Sequence, residues 1–191
     1  GFFSNDSGFK DLTIVNPEGF YSEATPALLT VKEASIEFGI LGLLEKSVDI
    51  KQATETGVVL FLQEVDSKTN LEEVIHHISK DETPKAEHPK PTFNIEIMTI
   101  KDITVIASGA LTVIDNKPVT AHIPELVLHQ VGTDGDSEIA TEVVTAAVTK
   151  AIMEHISEHP VEGFSKIAFS NVTNTINSLP IFHQLGVGSA V

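Results

Sequence analysis

The chain has no cysteine and no tryptophan, and it sets only 12 basic residues against 27 acidic ones in a length of 191. Without cysteine there is no disulfide, no thiolate nucleophile and no zinc–thiolate site. That lack leaves the redox compartment open and suits a protein exported from a bacterium. The formal net charge of -15 argues against nucleic acid as a partner, because phosphate contacts need a basic surface. It also argues against attraction to anionic headgroups. Holding acyl chains in an apolar groove needs no positive charge and stays open. No apolar run approaches the ~20 residues of a membrane span; the longest, residues 38–44 and 58–62, are far shorter. No secretory signal peptide stands at the start, and the opening Gly-Phe-Phe-Ser-Asn reads as that of a mature or trimmed product. A Gly-x-Ser-x-Gly elbow, a P-loop, a dinucleotide glycine fingerprint and His-Glu-x-x-His are all missing. No cofactor and no enzyme class is therefore implied.

What is present suits a single domain over residues 1–191, with 41% apolar residues and a mean hydropathy of +0.12. Leu12 and Ile14 alternate with Asp11 and Thr13 in a strand that opens on Lys10 and closes on Val15. Asn16-Pro17-Glu18-Gly19 stops it, and Phe20, with Tyr21, folds back as an aromatic plug. Residues 27–38 read as a long strand in which Leu29, Val31 and Glu33 share a side, with a phase change or bulge after Lys32-Glu33-Ala34. Residues 39–44 form an apolar corner. Residues 48–53 and 58–65 read as two strands split by Thr54-Glu55-Thr56-Gly57, and residues 93–100, 103–107 and 111–114 as three more. Asp115-Asn116-Lys117-Pro118 is a turn by composition. Residues 119–131 alternate well, and Pro124 points to an edge or a bulge. Two blocks, Val48 to Leu62 and Phe93 to Ala107, look alike and hint at a repeated meander.

Helical spacing appears twice. Leu71, Val74, Ile75 and Ile78 recur on one face over residues 70–79, with Asn70 as N-cap and Glu72 and Glu73 in the first turn. Residues 137–159 form the longer helix, with rows Ile139, Val143, Ala147, Ala151 and Val144, Val148, Ile152, Ile156, closed by Pro160. Residues 80–91, with three prolines, read as an exposed loop, residues 167–171 as a last strand, and residues 174–191 as an uncharged tail apart from His183.

Candidate chemistry is sparse. His155 and His159, at i and i+4, have a spacing that two metal ligands can use. No third ligand follows from the sequence, and a helix C-terminus favours cations in any case. Adjacent His76 and His77 point to different helix faces. Asp134-Gly-Asp136-Ser-Glu138 opens like a calcium loop, but Thr145 stands where the closing glutamate would fall, so a capping loop reads better. The other carboxylates scatter along exposed phases, with no pair spaced for acid–base work.

The ordered set of motifs resembles the AsmA-like proteins of bacterial envelopes, in their short single-domain form. It is carried by Gly8-Phe-Lys-Asp-Leu-Thr-Ile-Val-Asn-Pro-Glu-Gly-Phe20, the long strand ending near Phe38, Gly42-Leu-Leu, Val48-Asp-Ile50 and Thr69-Asn-Leu71. Further on it takes in Phe93-Asn-Ile, Ile103-Thr-Val, Lys117-Pro-Val-Thr-Ala-His-Ile-Pro-Glu-Leu-Val-Leu128, Gly132 and the helix from Glu138, so it covers roughly residues 8–157. The resemblance implies an α+β fold: a strongly curved antiparallel β-sheet, or β-groove, packed against one long and one short amphipathic helix. It implies an exported, non-enzymatic, periplasmic or extracellular protein whose precursor had a signal or membrane anchor. Larger relatives are associated with outer-membrane assembly and phospholipid movement. The candidate groove residues for lipid or acyl chains are Leu29, Val31, Leu60, Leu62, Ile95, Ile97, Val105 and Ile123, with plain core as their other reading. Two departures stand out: the anchor is missing, and so is a strand that the family places before Gly8. An unpaired edge over residues 10–15 would be a template for strand addition. The alternative function is therefore a structural subunit of an envelope or extracellular filament joined through that edge.

Overall fold

The computed structural model describes residues 6–20, 26–38, 47–80, 92–113, 117–132 and 140–178. Tyr21, the corner at 39–44, Ile114 with Asp115-Asn116, the loop at 81–91, the Asp134 to Glu138 loop and residues 179–191 lie outside them. Strands β1 (Asp6–Ile14), β2 (Leu29–Phe38) and β3 (Ser47–Val65) come first, with the short β4 (Lys68–Thr69) leading into helix α1 (Asn70–Lys80). Then come β5 (Thr92–Ser108), a 3-10 turn (Gly109–Leu111), β6 (Val119–Gly132), α2 (Ala140–Glu158) and α3 (Lys166–Asn177). The fold is α+β; the described residues form three helices and an open six-stranded sheet ordered β1-β2-β3-β5-β6, β4 pairing with β3.

The sheet is mixed, which corrects the expectation of an antiparallel one. β3 and β5 run parallel, at a constant offset from Ser47↔Thr92 to Gln63↔Ser108. The reason is α1: a helix between two strands carries the chain back to its starting end, so the next strand runs the same way. The look-alike blocks are these two neighbours, Val48 beside Phe93 and Leu60 beside Val105, and they form a strand pair rather than a meander.

β3 and β5 are each continuous, where the alternation predicts two strands apiece. Asp11, Gly57 and Asp102 have φ of 54, 69 and 53 degrees. The register sets Asp11 opposite Lys32, Lys32 opposite Gly57, Gly57 beside Asp102 and Asp102 opposite Pro124. These positions form one crease across the whole sheet. At the crease every strand loses a step of its two-residue alternation. Leu29 and Val31 give way to Ala34 and Ile36, Ile103 and Val105 to Ile100 and Met98, and Ile123 to Leu126. The register constants are the same on both sides. All strands therefore change phase together, and one face stays apolar throughout. A second crease passes through Lys51, Glu96 and Gln130, the last with φ 56 degrees. There β2 and β3 also shift register between Glu37 and Phe38. The phase change expected after Lys32-Glu33-Ala34 falls earlier, at Lys32, so Glu33 leaves the side of Leu29 and Val31 and Ala34 takes its place. Pro124, expected at an edge or a bulge, stands on β6, the last strand on that side of the sheet among the described residues.

The helices cover the apolar face. α1 buries Leu71, Ile75 and Ile78, as its spacing predicts. α2 is buried on most sides rather than amphipathic: Val143, Thr145, Ala146, Ala147, Val148, Thr149, Ala151, Ile152 and Met153 are all inside. Its alanines let neighbouring elements approach closely. The buried Thr149 hydroxyl returns to the Thr145 carbonyl at 2.8 Å. Residues 167–171 lie in α3, not in a strand. Phe169, Val172, Thr173 and Ile176 are its buried residues, at helical spacing, and the Ser165 hydroxyl accepts from Ala168 N–H at 3.3 Å. Residues 174–177 of the expected tail belong to the same helix. The strand expected at 111–114 reduces to the 3-10 turn and one bridge, Thr112 to Phe164.

Asn70 opens α1 but does not cap it. Thr69 does, its hydroxyl accepting from Glu72 N–H at 3.1 Å while Glu72 returns a side-chain bond to Thr69, a capping box. Asn70 is instead fully buried. Its amide donates to Asn16 Oδ1 at 2.8 Å and to the Phe61 carbonyl at 2.7 Å, and its oxygen accepts from Gln63 N–H at 3.0 Å. One side chain thus joins the turn after β1, the end of β3 and the start of α1. Gly19, at φ 93 degrees, closes that turn, and Phe20 is buried as the expected plug.

Two outcomes follow, read as urea midpoints. Asn70→Ala strands a backbone donor and acceptor and lowers stability by on the order of 3 kcal/mol. At the crease a Cβ on Gly57 would lie 2.7 Å from Lys32 Cβ, so Gly57→Ala costs on the order of 1–3 kcal/mol. Asp102→Gly, at a like φ, costs nothing or stabilises; equal losses at the two sites would contradict the crease.

Candidate functional site

The crease decides where the sequence-predicted site residues fall. Leu29, Val31, Leu60, Leu62, Val105 and Ile123 share the helix-covered face beyond the first crease, and Ile95 reaches it beyond the second. All seven are buried, so they form the sheet's contact with the helices. Ile97 does not join them. The phase flip at Glu96 turns it to the opposite face, where it is 37% exposed. Strict alternation from Ile95 to Ile97 leads to the wrong face here because it carries no record of the flip.

The same effect hides Glu55. Counting back from Leu62, Leu60 and Val58 assigns it to the outer, exposed phase. Gly57 resets the count, and Glu55 lies on the apolar face between Ala34 of β2 and Ile100 of β5. Its Oε2 is buried without a hydrogen-bond partner. Burial raises its pKa from 4.5 to about 7, since desolvation disfavours the charged form. A carboxyl titrating there could pass a proton, but acid–base catalysis needs a second positioned group, and none is evident beside it among the described residues. The signal that could have found it is the glycine two residues on, in a run otherwise made of strand formers.

His155 and His159 stack with ring centroids 4.2 Å apart. His159 is bonded to the His155 carbonyl through Nδ1 at 3.1 Å. Desolvation and the neighbouring His159 lower the pKa of His155, partly offset by Glu158. Among the described residues no group of three or more His, Asp or Glu side chains could hold a metal, so the pair has no third ligand there. The Asp134 to Glu138 loop lies outside the described residues.

An open apolar cleft of about 270 Å³ lies where the turn after β1 meets α1 and α2. Ile14, Val15, Pro17, Val74 and Ile78 line it, with Asn16, His77, Glu142 and Thr145 as its polar members. The Asn16–Asn70 bond fixes one wall, because it holds the turn against the first residue of α1. Beside the cleft, β1 is the last strand of the sheet among the described residues. Phe9 is 46% and Leu12 39% exposed on it. Both continue rows of the helix-covered face, Phe9 beside Ala34 and Leu12 beside Val31. Of the edge expected over residues 10–15, residues 10–14 lie in β1, which starts earlier, at Asp6, and Val15 lies beyond it; among the described residues this strand is a sheet edge with apolar side chains showing. Among the described residues no helix is long and apolar enough to cross a membrane.

The sign of the Glu55 effect is testable. The folded state holds this proton up to about pH 7 and the unfolded chain only to 4.5. Stability is therefore lost as pH rises through that window, by roughly 3 kcal/mol. Glu55→Leu should gain on the parent chain progressively from pH 4.5 to 7 and hold a constant lead above it. A lead independent of pH, read from denaturation midpoints across the range, would assign the effect to packing alone. No family model, curated protein or solved structure matches this chain.

Proposed function

We propose that this chain is a non-enzymatic module of the bacterial cell envelope that takes an apolar guest in the cleft beside β1. The observation that carries the reading is the cleft itself: an open apolar recess walled by Val15, Pro17, Val74 and Ile78 and braced by a buried amide. Its size decides the guest. Ligand pockets run from roughly 300 to 1,000 Å³, and about 270 Å³ falls just below that range. That suits one acyl chain or a comparable apolar group, not a whole phospholipid. The envelope setting rests on the resemblance of the motifs to AsmA-like proteins, and the net charge of -15 suits an attachment that does not depend on anionic headgroups.

A second reading, a structural subunit of an envelope or extracellular assembly joined by strand addition, is favoured by the exposure of Phe9 and Leu12 at the β1 edge. An open edge offers main-chain donors and acceptors to another strand.

A fluorescent fatty-acid probe tests the first reading. The chain should take it up saturably. Val74→Trp, which fills the cleft, should abolish uptake, while Ile97→Trp on the far face should leave it unchanged. No uptake by the parent chain, or undiminished uptake by Val74→Trp, would remove the cleft from consideration.

A further inference from the structure

We infer that two copies of this chain join through β1 in one antiparallel register, with Phe9 of each copy opposite Leu12 of the other. This rests on the edge reading above and names its partner.

The crease selects the register. Within β1 the helix-side positions are Phe9 on one side of Asp11 and Leu12 on the other, because the phase changes at Asp11. A regular strand would put residues three apart on opposite faces; here they share one. Two identical strands running antiparallel about a two-fold axis meet with their covered faces on the same side only if helix-side residues oppose helix-side residues. A slip of one residue sets Leu12 against Gly8 or Lys10, which belong to the other face, and so exposes the apolar set. The register that matches faces along the strand places Phe9 against Leu12 on both sides of the axis. Each is now left partly in water, at 46% and 39%, and each would continue a row already built across the sheet.

The charges agree with this register. It sets Lys10 of one copy opposite Asp11 of the other, twice, by symmetry. Inside the chain the same two residues already meet opposite charges across β1 and β2, Lys10 facing Glu33 and Asp11 falling opposite Lys32. The new contact repeats on the free edge the charge pattern that the register sets across β1 and β2. The net charge of -15 on each copy repels the other, so added salt should strengthen the association, the reverse of an assembly held mainly by ion pairs.

The absence of cysteine makes the test clean. Phe9→Cys and Leu12→Cys chains, one carrying a tag that separates them by size, are oxidised alone and as a mixture. In the inferred register the two sulfurs are directly opposed, while two copies of either variant alone set theirs about 10 Å apart, three strand residues away, too far to bridge. A disulfide dimer should form in the mixture and in neither variant alone. Efficient self-linking of either variant would overturn this register and leave edge pairing standing. Sedimentation of the unaltered chain gives an independent readout. It should show self-association that rises with concentration and with salt; a monomer under all those conditions would overturn edge pairing itself.

Discussion

The constraint on which this structure depends is that one face of an open sheet must stay apolar along strands of 17 and 19 residues. Alternation alone does this for a flat, unbroken ladder. Here a step is lost at Asp11, Gly57 and Asp102, with Lys32 of β2 and Pro124 of β6 in line with them. A single strand making such a step would turn its apolar side chains to water. Because every strand makes it in the same row, the register survives on both sides and the core continues. Three non-glycine strand residues, Asp11, Asp102 and Gln130, accept positive φ for this, and all are short or polar side chains at the exposed rim or face. Asp in particular tolerates that conformation.

The helices then close the covered face through a small number of polar devices. Asn70 is the most consequential, since its three hydrogen bonds span the turn after β1, the end of β3 and the first turn of α1. Such a group is costly if any partner is lost and specifies one arrangement when all are present. On the other side, Ser165 N–H donates to the Leu111 carbonyl at 2.8 Å, and Phe164 stacks on Phe169 at 4.6 Å. The connection between α2 and α3 is thereby pinned to the end of β5.

The cleft and the edge lie at one corner of the molecule, both built from β1 and the turn that follows it. Seven of the eight residues expected to line a groove are core. A guest in the cleft and a second copy at the edge would meet different parts of β1, Ile14 and Val15 for one, Phe9 and Leu12 for the other. Glu55 stands apart from both, a half-buried acid between Ala34 and Ile100 beside the crease, its Oε2 fully buried.

The sequence by itself determined the element types where the local pattern was undisturbed. The spacing of Leu71, Val74, Ile75 and Ile78 made α1 legible, Asn16 to Gly19 made the turn legible, and the alternation around Pro124 made β6 legible as an edge. It also carried the existence of a phase change in β2, though two residues later than Lys32, where it falls. Tertiary structure alone decided that the step at Gly57 and Asp102 was a crease within one strand rather than a turn between two, because a positive φ breaks alternation identically in both cases. From that came the hidden position of Glu55; the misplacement of Ile97 came from the second flip, at Glu96, and the parallel pairing of β3 with β5 from the helix between them. α3 was missed for a different reason: its Thr and Asn residues have modest helix propensity, and only burial of Phe169, Val172 and Ile176 against the other helices and the 3-10 turn makes that segment a helix. A sequence records which residues are apolar; which face they share depends on backbone conformation at a few positions, and that is settled by the neighbouring strands.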